Sequence, residues 1–147
     1  MKLIIHKDQD VSEATITIEC NKVDQKLTRI ISNINMFIDD FTVTRDNVEI
    51  PISLEQVYYF DTVDDKTFLY MEKEVYQCDK RLYELEEQLE NTPFVRISKS
   101  CIVNTFHVVS VKPHFSGRII AELTNKEQQI VSKHYVKTFR NKITMGG

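Results

Sequence analysis

Cys101 and His107 are the only thiol and imidazole near enough in the chain to suggest a nucleophile and its base. The thiol, however, lies in the apolar run Cys101-Ile102-Val103. A cysteine in such surroundings is a packed side chain, not a reactive thiolate. His6, His114 and His134 fall at no metal-ligand spacing such as HExxH. Cys20, Cys78 and Cys101 are irregularly spaced, with no Cys-x-x-Cys pair. This argues against both a disulfide framework and a zinc site. The acidic pairs Asp39-Asp40 and Asp64-Asp65 read as solvated turns rather than general acid–base pairs. Glycines at 117, 146 and 147 form neither a dinucleotide loop nor a P-loop. We therefore expect no enzyme, no cofactor, no metal and no small-molecule substrate.

What remains is charge. From residue 93 onward there are nine basic and two acidic residues, a net charge of +7. Residues 1–92 hold ten basic and twenty acidic ones, a net of −10. Such asymmetry fits two readings: a polyanionic partner for the basic part, or two halves that pair with each other. The N-terminus is too short in apolar residues for a signal peptide. No uncharged run approaches the ~18 residues of a membrane helix. A cytoplasmic protein is expected.

The stretch "FVRISKSCIVN", Phe94 to Asn104, is the most informative. Val95 and Ile97 alternate as in a strand, Ser98-Lys99-Ser100 interrupts, and Cys101-Ile102-Val103 resumes an apolar run. Two segments suited to burial thus hold out a polar, basic turn.

The elements around it are mostly strands. Leu3-Ile4-Ile5 and Ala14–Cys20 read as strands, the second alternating with Ile16 and Ile18 inward. Val23, Leu27, Ile30, Ile31, Ile34 and Phe37 fall at helical spacing, with Asn21 as N-cap. "FTVTRDNVEIPI" reads as a hairpin turning at Asp46-Asn47. "VYYFDTV" and "KTFLYMEK" read as strands joined at Asp64-Asp65, and "EVYQC" as a further strand. A helix follows on Leu82, Leu85 and Leu89, capped by Asp79 and ended by Pro93. After "FVRI" and "CIVN" come "HVVSVK", "GRIIAEL" and "QQIVS", then an amphipathic basic helix, "KHYVKTFRNKI".

With these placed, Arg81–Ile143 resembles the LytTR family of bacterial DNA-binding domains. The resemblance rests on Leu82 and Leu85; on Phe94, Arg96, Ile97, Ser100, Ile102, Val103 and Asn104; and on Val131, Ser132, Lys133 and Tyr135. It extends more loosely to about residues 47–144. It implies an elongated antiparallel β fold with short helices, preceded by an N-terminal βα extension. The expected division is an extension at 1–46, offering a dimer or partner surface, and a DNA-binding domain at 47–147.

The resemblance also implies function: a bacterial transcription factor reading double-stranded DNA through loops in the major groove, on direct-repeat sites. It implies a homodimer, at least on DNA, and a membrane protein partner that holds it inactive. The candidate contacts are Arg96, Ser98, Lys99 and Ser100; Ser132, Lys133, His134 and Lys137; and Lys66 and Thr67 in the hairpin that turns at Asp64-Asp65. Hydroxyls suit phosphate oxygens and Lys99 a guanine edge. For Arg96, a phosphate or a neighbouring carboxylate both remain open. Where family members often carry Arg after the closing Ser, this chain has Lys133 and then His134. Asp64 and Asp65 would repel phosphates unless they point away. The other reading the residues leave open is a protein-interaction module without DNA binding.

Overall fold

The computed structural model describes residues 1–146. Helix α1 (Gln25–Ile38) leads into the hairpin β1 (Thr42–Arg45) and β2 (Val48–Pro51). Then follow β3 (Val57–Val63), β4 (Lys66–Met71), β5 (Val75–Cys78) and α2 (Leu82–Gln88). After these come β6 (Phe94–Arg96), β7 (Cys101–Asn104), β8 (Val108–Pro113), β9 (Ile119–Leu123), β10 (Gln128–Val131) and α3 (Val136–Gly146). The largest sheet has five strands in the order β5-β4-β3-β7-β6, and a second has β10-β9-β8. All pairings are antiparallel among the described residues.

The five-stranded sheet is covered on both faces, which explains its continuous apolar runs. One core joins Phe60, Leu69 and Ile102 to Met36 of α1, Val43 of β1 and Leu85 of α2. The other joins Val95, Ile97, Cys101 and Val103 to Ala121 and Leu123 of β9, Val131 of β10 and Phe139 of α3. Neighbours along β7 thus enter different cores, and all four of its residues are buried. A bulge in β3 between Val57 and Tyr59 breaks the alternation, so that Tyr58 and Tyr59 both turn toward the second core. Asn104 is fully buried. Its amide donates to the carbonyls of Val57 (2.9 Å) and Leu54 (3.4 Å), while its Oδ1 accepts from the Phe106 N–H (3.1 Å).

Several expectations hold. Both two-residue turns, Asp46-Asn47 and Asp64-Asp65, lie in the left-handed region that such hairpins require. The strands expected after residue 93 all form. Others need correction. The two strands expected at Leu3–Ile5 and Ala14–Cys20 are absent: residues 1–23 belong to no ladder, and every one is exposed. A strand exists only with a partner, which its own sequence cannot reveal. The cap of α1 is Asp24, not Asn21; its carboxylate accepts from the Leu27 N–H at 2.8 Å. Helix α2 starts later than Asp79 allows, and the Glu84 carboxylate accepts from the Arg81 N–H at 3.1 Å instead. The β1–β2 hairpin turns at Asp46-Asn47, and its Val43 shares the core of Phe60.

Candidate nucleic-acid interface

The turn between β6 and β7 is built from inside. Ile97 is fully buried, and its N–H donates to the Cys101 carbonyl at 3.0 Å. Arg96, whose side chain is 16% exposed, folds back over the turn: Nε donates to the Ser98 carbonyl (2.7 Å) and a terminal nitrogen to the Lys99 carbonyl (2.6 Å). Its other nitrogen meets the Glu86 carboxylate at 3.5 Å. The guanidinium therefore holds the shape of the turn from behind. Of the two partners left open for Arg96, the structure shows a carboxylate. The Ser98 hydroxyl accepts from the Ser100 N–H at 3.2 Å, closing a local turn that leaves Lys99 exposed.

Neighbours brace this turn on both sides. The Thr62 N–H, at the end of β3, donates to the Ser100 carbonyl at 2.8 Å. The Ser132 N–H, just past β10, donates to the Ile97 carbonyl at 2.9 Å. Three segments from distant parts of the chain therefore lie side by side. These are the β3–β4 turn with Lys66, Ser98-Lys99-Ser100, and Ser132-Lys133-His134. Ser132 offers no side-chain cap; its carbonyl accepts from the Tyr135 N–H, opening a 3-10 turn at Lys133–Tyr135 that runs into α3. Lys133, His134 and Lys137 are exposed there. Below them, Phe139 is fully buried and fixes the start of the helix to the second core.

Thr67 departs from expectation. It is 6% exposed, on the same face of β4 as Leu69, and presents nothing to a ligand. Alternation from Lys66 decides this: one residue of the pair must point inward. Lys66 itself is exposed, as are Asp64 and Asp65. Asp61 sits one strand over, opposite Cys101. Burial pushes its carboxyl above the ordinary carboxylate range, partly offset by the Thr62 N–H and the Ser100 hydroxyl.

The sequence pattern of the LytTr DNA-binding domain matches residues 48–144, most of the chain. The chain belongs to the LytTR family. A solved LytTr DNA-binding domain from Bacillus cereus is similar to it, with a TM-score of 0.64 and 27% identity over 71% of this chain and 95% of that one. Among curated relatives, an HTH-type transcriptional regulator of Staphylococcus aureus is 26% identical, with 99% of each chain covered. The sensory transduction proteins LytT of Enterococcus faecalis and LytR of Staphylococcus haemolyticus are each 26% identical. This chain spans only 38% and 51% of their respective lengths.

One further basic turn of the LytTR domain lies beside this row of loops. The β8–β9 connection, His114 to Arg118, borders Lys133 directly. A Cβ on Gly117 would lie 3.1 Å from Cγ and Cδ of Lys133, so the lysine stem rests on the glycine. Gly117 has φ +74° and Ser116 φ +62°. The Arg118 guanidinium lies 4.8 Å from the Phe115 ring centroid. The signal in the sequence was "HFSGR", a basic turn around the one glycine inside the domain. Lys142, by contrast, is spent elsewhere, donating to the Glu90 carbonyl at 2.8 Å. No three His, Cys, Asp or Glu among the described residues are placed to hold a metal ion. No helix among them is long and apolar enough to cross a membrane.

Proposed function

We propose that this protein is a transcriptional regulator that reads double-stranded DNA with the row of loops at one end of its β-sheets. The observation that carries this is the Ser98-Lys99-Ser100 turn. It is held from behind by Arg96, braced on both sides by hydrogen bonds, and anchored on buried residues, with one free lysine at its tip. A lysine fixed in this way suits a base edge in the major groove, because its position is set before binding. Lys133, His134 and Lys137 lie beside it, where phosphates flanking the groove would run. Lys66 extends the row on the other side.

Residues 47–147 then carry the DNA contact and residues 1–46 carry association. Two copies bind direct-repeat half-sites, and a membrane protein partner in the cytoplasm's bounding membrane holds the regulator inactive. The S. aureus relative of the same length is named a transcriptional regulator, which supports the regulatory reading.

The test is a salt titration of binding to duplexes selected from random sequence. About five phosphate contacts give a slope of log K against log salt near ~−4 to −5. A slope near zero overturns DNA binding and leaves the protein-interaction reading.

A further inference from the structure

Residues 1–23 are the part of the chain that the fold does not use. They form no helix and no ladder, and every residue is exposed. Their hydrogen bonds are local to Asp8: the Val11 N–H donates to the Asp8 carbonyl (3.2 Å) and the Asp10 N–H to the Asp8 carboxylate (2.9 Å). Yet Ala14–Cys20, "ATITIEC", is the most regular strand pattern in the first half of the chain. Ile16 is 66% exposed and Ile18 38% exposed. Leu3, Ile4, Ile5, Val11 and Val23 are exposed as well. A β-branched, alternating segment without a ladder is an open template for another strand.

We propose that Ala14–Cys20 pairs antiparallel with the same segment of a second copy of this chain, about a two-fold axis at Thr17. In this register Ile16 lies opposite Ile18 of the other copy, and Ala14 opposite its Cys20. Four isoleucines then share one face of the ribbon, and Thr15, Thr17 and Glu19 share the other. Centring the pair one residue earlier, at Ile16, sets Glu13 against Glu19, like against like. The charges around the segment favour antiparallel pairing. Lys7, Asp8, Asp10 and Glu13 precede it, a net −2, and Lys22, Asp24 and Lys26 follow it, a net +1. An antiparallel ribbon brings the acidic lead of one copy to the basic tail of the other, whereas a parallel one stacks like on like. The contact is isologous, so it closes at two copies. It requires no DNA.

Cross-linking tests the register. Cys20 is exposed, whereas Cys78 and Cys101 are buried. In the proposed ribbon the two native Cys20 residues sit about 20 Å apart and cannot bond. With Cys20→Ser in place, Thr17→Cys should give a disulfide-linked dimer under mild oxidation without DNA. Ala14→Cys should cross-link only when Cys20 is retained. Gln9→Cys, outside the ribbon, with Cys20→Ser, should stay monomeric on a non-reducing gel. The pair Ile16→Glu and Ile18→Glu should convert the dimer to a monomer by light scattering. It should leave the unfolding temperature of the domain unchanged, since residues 1–23 belong to none of its ladders or buried cores. A wild-type chain that is monomeric at tens of micromolar overturns the proposal. So does equal cross-linking of Thr17→Cys and Gln9→Cys. Binding to a single half-site is the separate readout: its failure with an intact dimer counts against DNA recognition, not against the arm.

Discussion

Lys99 and Lys137 carry the same charge and are both exposed, but their settings differ. Lys99 stands at the tip of a turn whose carbonyls are held by Arg96. Lys137 stands on the first turn of a helix and swings on a free four-carbon stem. Lys99→Ala should therefore cost ~1–3 kcal/mol on a selected operator and little on random DNA. Lys137→Ala should weaken both duplexes alike and reduce the salt slope by about one. Titrations of both variants on both duplexes at two salt concentrations decide this. Equal losses for Lys99→Ala would make the turn a positioning device rather than a reader. His107 gives a second prediction at this scale. It stacks on Tyr58, with ring centroids 4.2 Å apart, and its Nε2 lies 2.6 Å from the Glu55 carbonyl. Burial lowers its pKa below the ordinary 6.5, with the Glu55 contact opposing. The unfolded chain thus binds a proton more readily than the folded one. Stability from this group is present above pH 6.5 and lost as pH falls through the lower folded value. The unfolding temperature should drop between pH 7.5 and 5.5, and His107→Gln should flatten that slope. The residue scale was only partly legible beforehand. The broken alternation marks Ser98-Lys99-Ser100 as a turn, and the structure has one there. Arg96 and Thr67 were not resolved by pattern. One turns back on its own loop and the other points inward, and both depend on contacts made across the sheet.

At the scale of elements, the loops matter more than the strands they join. The β8–β9 connection bends through Ser116 and Gly117, and its glycine is the floor under Lys133. Gly117→Ala strains a backbone at φ +74° and pushes a methyl into the lysine stem at 3.1 Å. We expect a loss of about 1 kcal/mol in stability. We also expect several-fold weaker DNA binding, measured by anisotropy. Because the second effect runs through Lys133, Gly117→Ala should cost little further affinity once Lys133→Ala is present. A fully additive double mutant would show that the loop acts independently. The strand order was also beyond the sequence. Periodicity locates β6 to β10, but it cannot say that β7 inserts between β3 and β6. That insertion places the Thr62 N–H on one side of the turn, just as the approach of β10 places the Ser132 N–H on the other.

The whole molecule divides its net charge between two stretches of the chain. Acidic residues are scarce after residue 93, and the row of loops draws Lys99, Lys133, His134 and Lys137 from that part. Only Lys66 comes from the acidic part, beside Asp64 and Asp65. The three thiols follow from the same architecture. Burial pushes the pKa of both Cys78 and Cys101 upward. Cys78 lies on β5, at the edge of the five-stranded sheet, whereas Cys101 lies on β7, an inner strand. The chain therefore carries its own clock for opening. Iodoacetamide should label Cys20 at once, and the other two only as fast as the sheet unzips. Mass spectrometry of timed samples reads which goes first. An edge that peels away alone modifies Cys78 long before Cys101, while a sheet that opens as one unit modifies both together. We expect the first order of events, with Cys101 labelling slowed further when operator DNA clamps the turn beside it.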